Sequence, residues 1–275
     1  MRRVGRVVSY LVLILIGIVG IAPFVFLLIL SFKSQLEILD VPPSLHFDWS
    51  TITANYGYVI HEEHYLTFIR NSVIVTGIAT LIALALGVPA AYAFSRLRFR
   101  GKDHWASTIL SFRFMPPIAV AIPVYLMMRS IGAVNGYLGL ILPYVALSLP
   151  LVIWIMIGFF DEIPREIDDA ALVDGCSRAS ALYFVLLPLA RPGMIVAAIF
   201  GVIFVWNEFL VGLYIINSTN RETIPIAASA LLTVESPIAW NNAAAVGILT
   251  VIPVLLFTMV AQKYIVRGIT AGAVR

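Results

Sequence analysis

A single cysteine, Cys176, leaves no intrachain disulfide and no cysteine-based metal site to consider. Charge is scarce too: 12% of the 275 residues are charged, about half the share of a soluble domain. With 61% hydrophobic residues, that scarcity excludes an ordinary water-soluble fold and predicts an all-α, polytopic membrane protein. Nucleotide-binding motifs are lacking. Gly101-Lys102 has no glycine five residues before Gly101 and is followed by Asp103 where a P-loop needs Ser or Thr. If ATP drives this protein, another chain must bind it. No apolar stretch holds paired carboxylates, an H-E-x-x-H or a Ser/His/Asp set, and all four histidines lie in polar segments, so no catalytic residue is nominated. His61, Glu62, Glu63 and His64 have no further ligands in view and read as a solvated charge cluster rather than a metal site.

Long apolar runs dominate what remains. Six stretches reach the roughly 20 residues needed to span a bilayer: Val8–Leu30, Ser72–Phe94, Trp105–Met128, Tyr137–Phe160, Met194–Ile216 and Ala243–Val266. They predict one transmembrane domain over residues 1–275, with both termini on the same side. With the termini inside, the inner segments hold Arg2, Arg3, Arg6, Arg96, Arg98, Arg100, Lys102, Arg165, Arg178, Arg191, Lys263, Arg267 and Arg275. The outer segments hold only Lys33, Arg70, Arg129 and Arg221. That asymmetry places the termini in the cytoplasm. The net charge of +3 therefore reports topology and implies no nucleic-acid partner. The first run is too long for a signal-peptide core and has no clear cleavage site, so it is expected to be retained as a span.

Several features inside the runs carry expectations. Ala79, Ala83, Gly87 and Ala91 form a stripe of small residues for close helix packing. The third run is interrupted by Arg113, Pro116, Pro117 and Pro123, and broken backbone at that depth needs cover from protein or a water-filled path. Arg113 either lines such a path or snorkels inward. The fifth run contains Asn207 and Glu208, and a carboxylate there is a candidate pathway residue. Arg113 is the obvious candidate partner for Glu208, but counting along the two helices leaves them offset by roughly 9 Å, so Glu208 equally suits the outer mouth or a group on a partner chain. The outer segment from Ser31 to Arg70 has a Pro42-Pro43 turn and scattered aromatics, Trp49, Tyr56, Tyr58 and Tyr65. Those aromatics suit either the lipid interface or an external docking partner. Ile224–Leu232 is too short to span and reads as a re-entrant or interfacial helix.

The polar stretch 161–193 organises the rest. Pro164 suits a helix start, followed by Glu166, Asp168 and Asp169 where the positive helix end favours acids. Ile167, Ala170, Ala171 and Asp174 share a small, partly apolar face. Gly175 can supply a left-handed C-cap, and Ser177 can cap a second helix with Leu182, Val185, Leu186 and Leu189 on one face. Pro188 and Pro192 end or kink it. Such an elbow lies on lipid headgroups or packs against another protein. Ala and Gly on its face favour the protein.

Its spelling is the strongest signal in the chain. Asp169-Ala170-Ala171, three residues, Gly175, nine residues, Val185, one residue, Leu187-Pro188 resembles the E-A-A loop of ATP-binding-cassette (ABC) importer permeases, with Asp for Glu and Val for Ile. Arg113–Tyr144, Val205–Leu210 and Arg267–Arg275 are similar to the carbohydrate, maltose-permease-like branch. The resemblance implies a six-helix permease of the type I importer fold in a bacterial or archaeal inner membrane. It implies coupling through Asp169, Ala170, Ala171, Gly175, Val185, Leu187 and Pro188 to two ATPase subunits, which hold the ATP and Mg, so this chain itself carries no cofactor. It also implies a second related permease and an extracytoplasmic solute-binding protein. An ion-gradient transporter, or an importer of a non-sugar solute such as glycerol phosphate, remains the alternative.

Overall fold

The computed structural model describes residues 2–40, 46–61, 64–230 and 239–272. The expectations placed on Pro42-Pro43, on Glu62 and Glu63 and on the last tail residues lie outside the described residues. Every described element is helical: α1 Arg2–Ser31, α2 Gln35–Leu39, α3 Trp49–His61, α4 Tyr65–Arg96, α5 Lys102–Ser111, α6 Pro117–Ser130 and α7 Tyr137–Glu162. There follow α8 Arg165–Val173, α9 Arg178–Ser180, α10 Leu187–Leu189, α11 Arg191–Trp206, α12 Leu210–Ile215, α13 Ile224–Ala230 and α14 Trp240–Gly272. A π-helical segment, Ala181–Leu186, joins α9 to α10. Among the described residues, four helices are long and apolar enough to cross a membrane, and up to six spans result if each of two bent helix pairs counts as one.

The bends fall at prolines. Residues Lys102–Phe114 meet Pro117–Ser130 at 99° across Met115-Pro116, and Arg178–Leu189 meets Arg191–Trp206 at 81°. Proline lacks the N–H a continuing helix needs, and Pro117 and Pro192 instead occupy the first turns of the helices that follow. The break expected in the third run is therefore present. The fifth run, expected as one span over 194–216, is not continuous: helix stops at Trp206 and resumes at Leu210. Ile224–Leu232 yields the short helix α13 within its described part.

Two compact units divide the chain, Met1–Leu66 with Ala227–Pro253, and Thr67–Ile226 with Val254–Arg275. In the first, the most apolar stretch of α1 has no buried residue. The end of α1 is fastened by Asn55 of α3. Its Nδ2 donates to the carbonyls of Ser31 and Lys33, each at 2.9 Å, and its Oδ1 accepts from Asn241 Nδ2 at 2.8 Å. A helix end leaves such carbonyls without internal partners, so a buried amide is well placed to take them. Tyr56 belongs to the same joint through the Ser31 hydroxyl at 2.9 Å, whereas Trp49 stays exposed.

In the second unit, α4 and α11 pack on α7. Ala79, Ala83 and Ala91 are fully buried, and a methyl on Gly87 would lie 2.7 Å from Val152 Cγ1. The stripe of small residues thus brings α4 close to α7 inside the chain. One apolar cluster gathers Leu140, Tyr144, Val211 and Ile215 around Ala79. A second gathers Val152, Met156, Phe160, Leu182 and Leu186 around Ala83 and Ala91. The second cluster is what the polar elbow stands on.

Candidate functional site

The elbow is built from local hydrogen bonds that its sequence specifies. Gly175 sits at φ +86°, a left-handed conformation that costs glycine little. This lets Cys176 N–H donate to Ala171 C=O at 3.0 Å and Gly175 N–H to Leu172 C=O at 3.1 Å, the double closure of a Schellman cap. Ser177 then caps the second helix, its Oγ accepting from Ser180 N–H at 3.2 Å. Beyond Ser180 the helix widens into a π turn before Pro188. A proline ring crowds the carbonyl four residues earlier, and a wider turn relieves that crowding. The extra residue alters the expected face: Leu182 and Leu186 are buried, Val185 is half-buried and Leu189 is half exposed.

The face expected on α8 is likewise split. Asp168 and Ala171 turn inward with half-buried Ile167, while Asp169, Ala170, Val173 and Asp174 remain outside. The cause is Asp168. Its Oδ2 lies 3.0 Å from Arg96 Nε at the end of α4, a close ionic contact without the alignment of a hydrogen bond. Arg96 Nη2 also donates to Ile163 C=O at 2.6 Å, and the Ser95 hydroxyl bonds Asp161. Burial pushes the Asp168 carboxyl above the usual carboxylate range, against the pull of the Arg96 guanidinium. Sequence reasoning had only placed Asp168 in an acidic first turn. Of the motif residues, Asp169, Ala170, Gly175 and Pro188 are exposed, Val185 and Leu187 are half-buried, and Ala171 is buried. Leu172, Val173, Tyr183 and Phe184 add exposed apolar surface beside them.

A second site lies in the same unit. Arg113, Asn207 and Glu208 line one open groove of about 740 Å³, together with Phe112, Phe204 and Phe209. Arg113 stands over the Phe204 ring, its Cζ 4.4 Å from the centroid, a cation–π arrangement. The pairing with Glu208, which the sequence left open, is not made: the two form no ion pair. The Glu208 carboxylate accepts instead from Val211 N–H at 3.0 Å and Gly212 N–H at 3.3 Å. In an unbroken helix those N–H groups would bond the carbonyls of Asn207 and Glu208. The carboxylate takes their place and caps α12, which is why the fifth run breaks. Asn207 bonds back to Ile203 C=O at 2.7 Å and is exposed in the groove. Glu208→Ala is expected to lower stability by about 1 kcal/mol, the usual worth of a helix cap, with Glu208→Gln in between. Thermal unfolding of the purified protein in detergent measures this. No group of three or more potential metal ligands occurs among the described residues.

Residues 83–271 match the family described as binding-protein-dependent transport system inner membrane component. The chain is 30% identical over 272 residues to the trehalose/maltose transport system permease protein MalG of Thermococcus litoralis, covering 98% of this chain and 97% of that one. It is 34% identical over 266 residues to the trehalose transport system permease protein SugB of Mycobacterium tuberculosis, covering 94% of each. A crystal structure of a bacterial ABC transporter involved in the import of the acidic polysaccharide alginate contains a chain of the same fold. Its TM-score is 0.79 at 22% identity, covering 95% of this chain and 96% of that one. An all-helical membrane chain with up to six spans, matched through most of its length, belongs to the inner-membrane permease family of binding-protein-dependent ABC importers.

Proposed function

We propose that this chain is one of two related permease subunits of an ATP-driven sugar importer, its six spans working as a single permease domain with both termini in the cytoplasm. The observation that carries the coupling role is the build of the elbow. Its inner side is anchored by Asp168, Ala171, Leu182 and Leu186, while Asp169, Ala170, Val173 and Phe184 stand exposed. A part fixed on one side and apolar on the other suits a docking foot for an ATPase subunit. ATP and Mg belong to two such subunits, and an extracytoplasmic binding protein would deliver the solute. The unburied apolar length of α1 leaves room for lipid and for a sister permease. The groove of Phe112, Phe204 and Phe209 rings with Arg113, Asn207 and Glu208 suits a polyhydroxylated ring, and the names of the relatives support sugar as the class.

The test is purification of the tagged chain from its native membrane. An ATPase chain and a sister permease should come with it in fixed ratio. Recovery of the chain alone, under conditions that keep the membrane complexes of the same cell intact, overturns the reading.

A further inference from the structure

α8 turns few apolar groups inward, buried Ala171 and half-buried Ile167, and of these Ile167 packs against the second core. Something else must fix α8 in rotation and hold it to the spans. Arg96 is the last residue of α4, a helix of 32 residues whose small stripe packs it tightly on α7. From that position its guanidinium reaches α8 through Asp168 and the turn between α7 and α8 through the Ile163 carbonyl. Ser95 reinforces the joint, its hydroxyl bonding Asp161 and its carbonyl accepting from Arg165 Nη2 at 3.4 Å. The Arg96 and Asp168 side chains are only 5% and 12% exposed, so the pair is not a solvent-screened surface contact. Both Asp168 oxygens are buried, and neither has a hydrogen-bond partner among the described residues. Arg96 is thus the charge that allows the carboxylate to stay where it is. Asp169, the next residue, remains exposed.

We propose that Arg96 and Asp168 are positioning residues that tie the elbow to the second span, so that displacement of the elbow moves α4 with it. The proposal rests on the coupling role given to the elbow above. It assigns the two adjacent acids different duties: Asp169 faces a partner and Asp168 faces the chain's own spans. A planar, forked guanidinium can serve the carboxylate and the carbonyl together, which a lysine ammonium at the same position does less well.

The experiment uses the whole importer reconstituted in vesicles with its binding protein and the solute that protein carries. Its reading is solute moved per ATP hydrolysed. Asp168→Asn and Arg96→Gln are each expected to lower that ratio at least tenfold. The double variant is expected to be no worse than either single one, because the two residues act as one unit. Arg96→Lys should fall between. Co-purification of the ATPase chain should be unchanged in all four, since the docking side of α8 is untouched. Wild-type ratios in both single variants overturn the proposal, as do losses that multiply in the double variant. Loss of ATPase co-purification in the single variants overturns it too, because the pair would then serve docking rather than transmission. If the unaltered chain retains no ATPase, the coupling role itself fails, and that result is distinct from the others.

Discussion

Valine at position 175 is expected to abolish uptake while leaving the chain at close to its normal level in the membrane. A Cβ at Gly175 meets nothing within 4 Å, so the substitution creates no clash. What it creates is strain, because the backbone sits at φ +86°. An L-residue in the left-handed region costs roughly 1–2 kcal/mol, and a β-branched one costs more. The cheapest escape is to move φ back below zero. That breaks the Cys176–Ala171 and Gly175–Leu172 bonds and re-aims α8 relative to the helix that Ser177 begins. Asparagine tolerates the left-handed region and should keep most of the activity. Solute uptake by cells, with the amount of chain in the membrane measured alongside, decides the matter. Full uptake by the valine variant would remove the elbow from the mechanism.

Gly193 presents the opposite case, and replacing it should damage the protein itself. A Cβ there would collide with Phe159 Cγ and lie 2.7 Å from Phe159 Cβ, with no strained φ involved. Phe159 belongs to α7, so even alanine pushes α11 away from it. Overpacking of this kind typically costs about 1–3 kcal/mol. Gly193→Val should exceed Gly193→Ala, because the branched side chain has nowhere to go. The expected result is a thermal midpoint in detergent lowered by several degrees and a reduced amount of chain in the membrane, before any question of transport arises. Phe159→Ala in the Gly193→Ala background should recover part of the loss by opening the space the new methyl needs. An unchanged midpoint for Gly193→Val would mean that α7 and α11 do not approach as closely as described.

What could be read from the sequence was local. Gly175, Ser177 and Pro188 each act within about five residues of themselves, so their residue types announced the cap, the restart and the disturbance of the helix. The stripe from Ala79 to Ala91 was legible for the same reason: helical spacing lies within one element. The apolar runs came through because bilayer thickness sets their length. The Arg96–Asp168 pair joins positions far apart in the chain, and one sequence holds no information about which of two neighbouring acids turns inward. The partner of Glu208 stayed open for a different reason. A carboxylate in an apolar run draws attention to cations, whereas its partners here are backbone N–H groups three and four residues ahead. The break of the fifth run followed from that overlooked competition between side chain and backbone.

The π turn at Ala181–Leu186 has a geometric consequence for anything that grips the elbow. One surplus residue in a helix advances its phase by about 100°. Tyr183 and Phe184 therefore owe their bearing, relative to Leu186 and the spans beyond, to a single inserted position. A relative lacking that insertion would present a different set of side chains from the same place, so the compass heading of this surface is written in residue count rather than in composition.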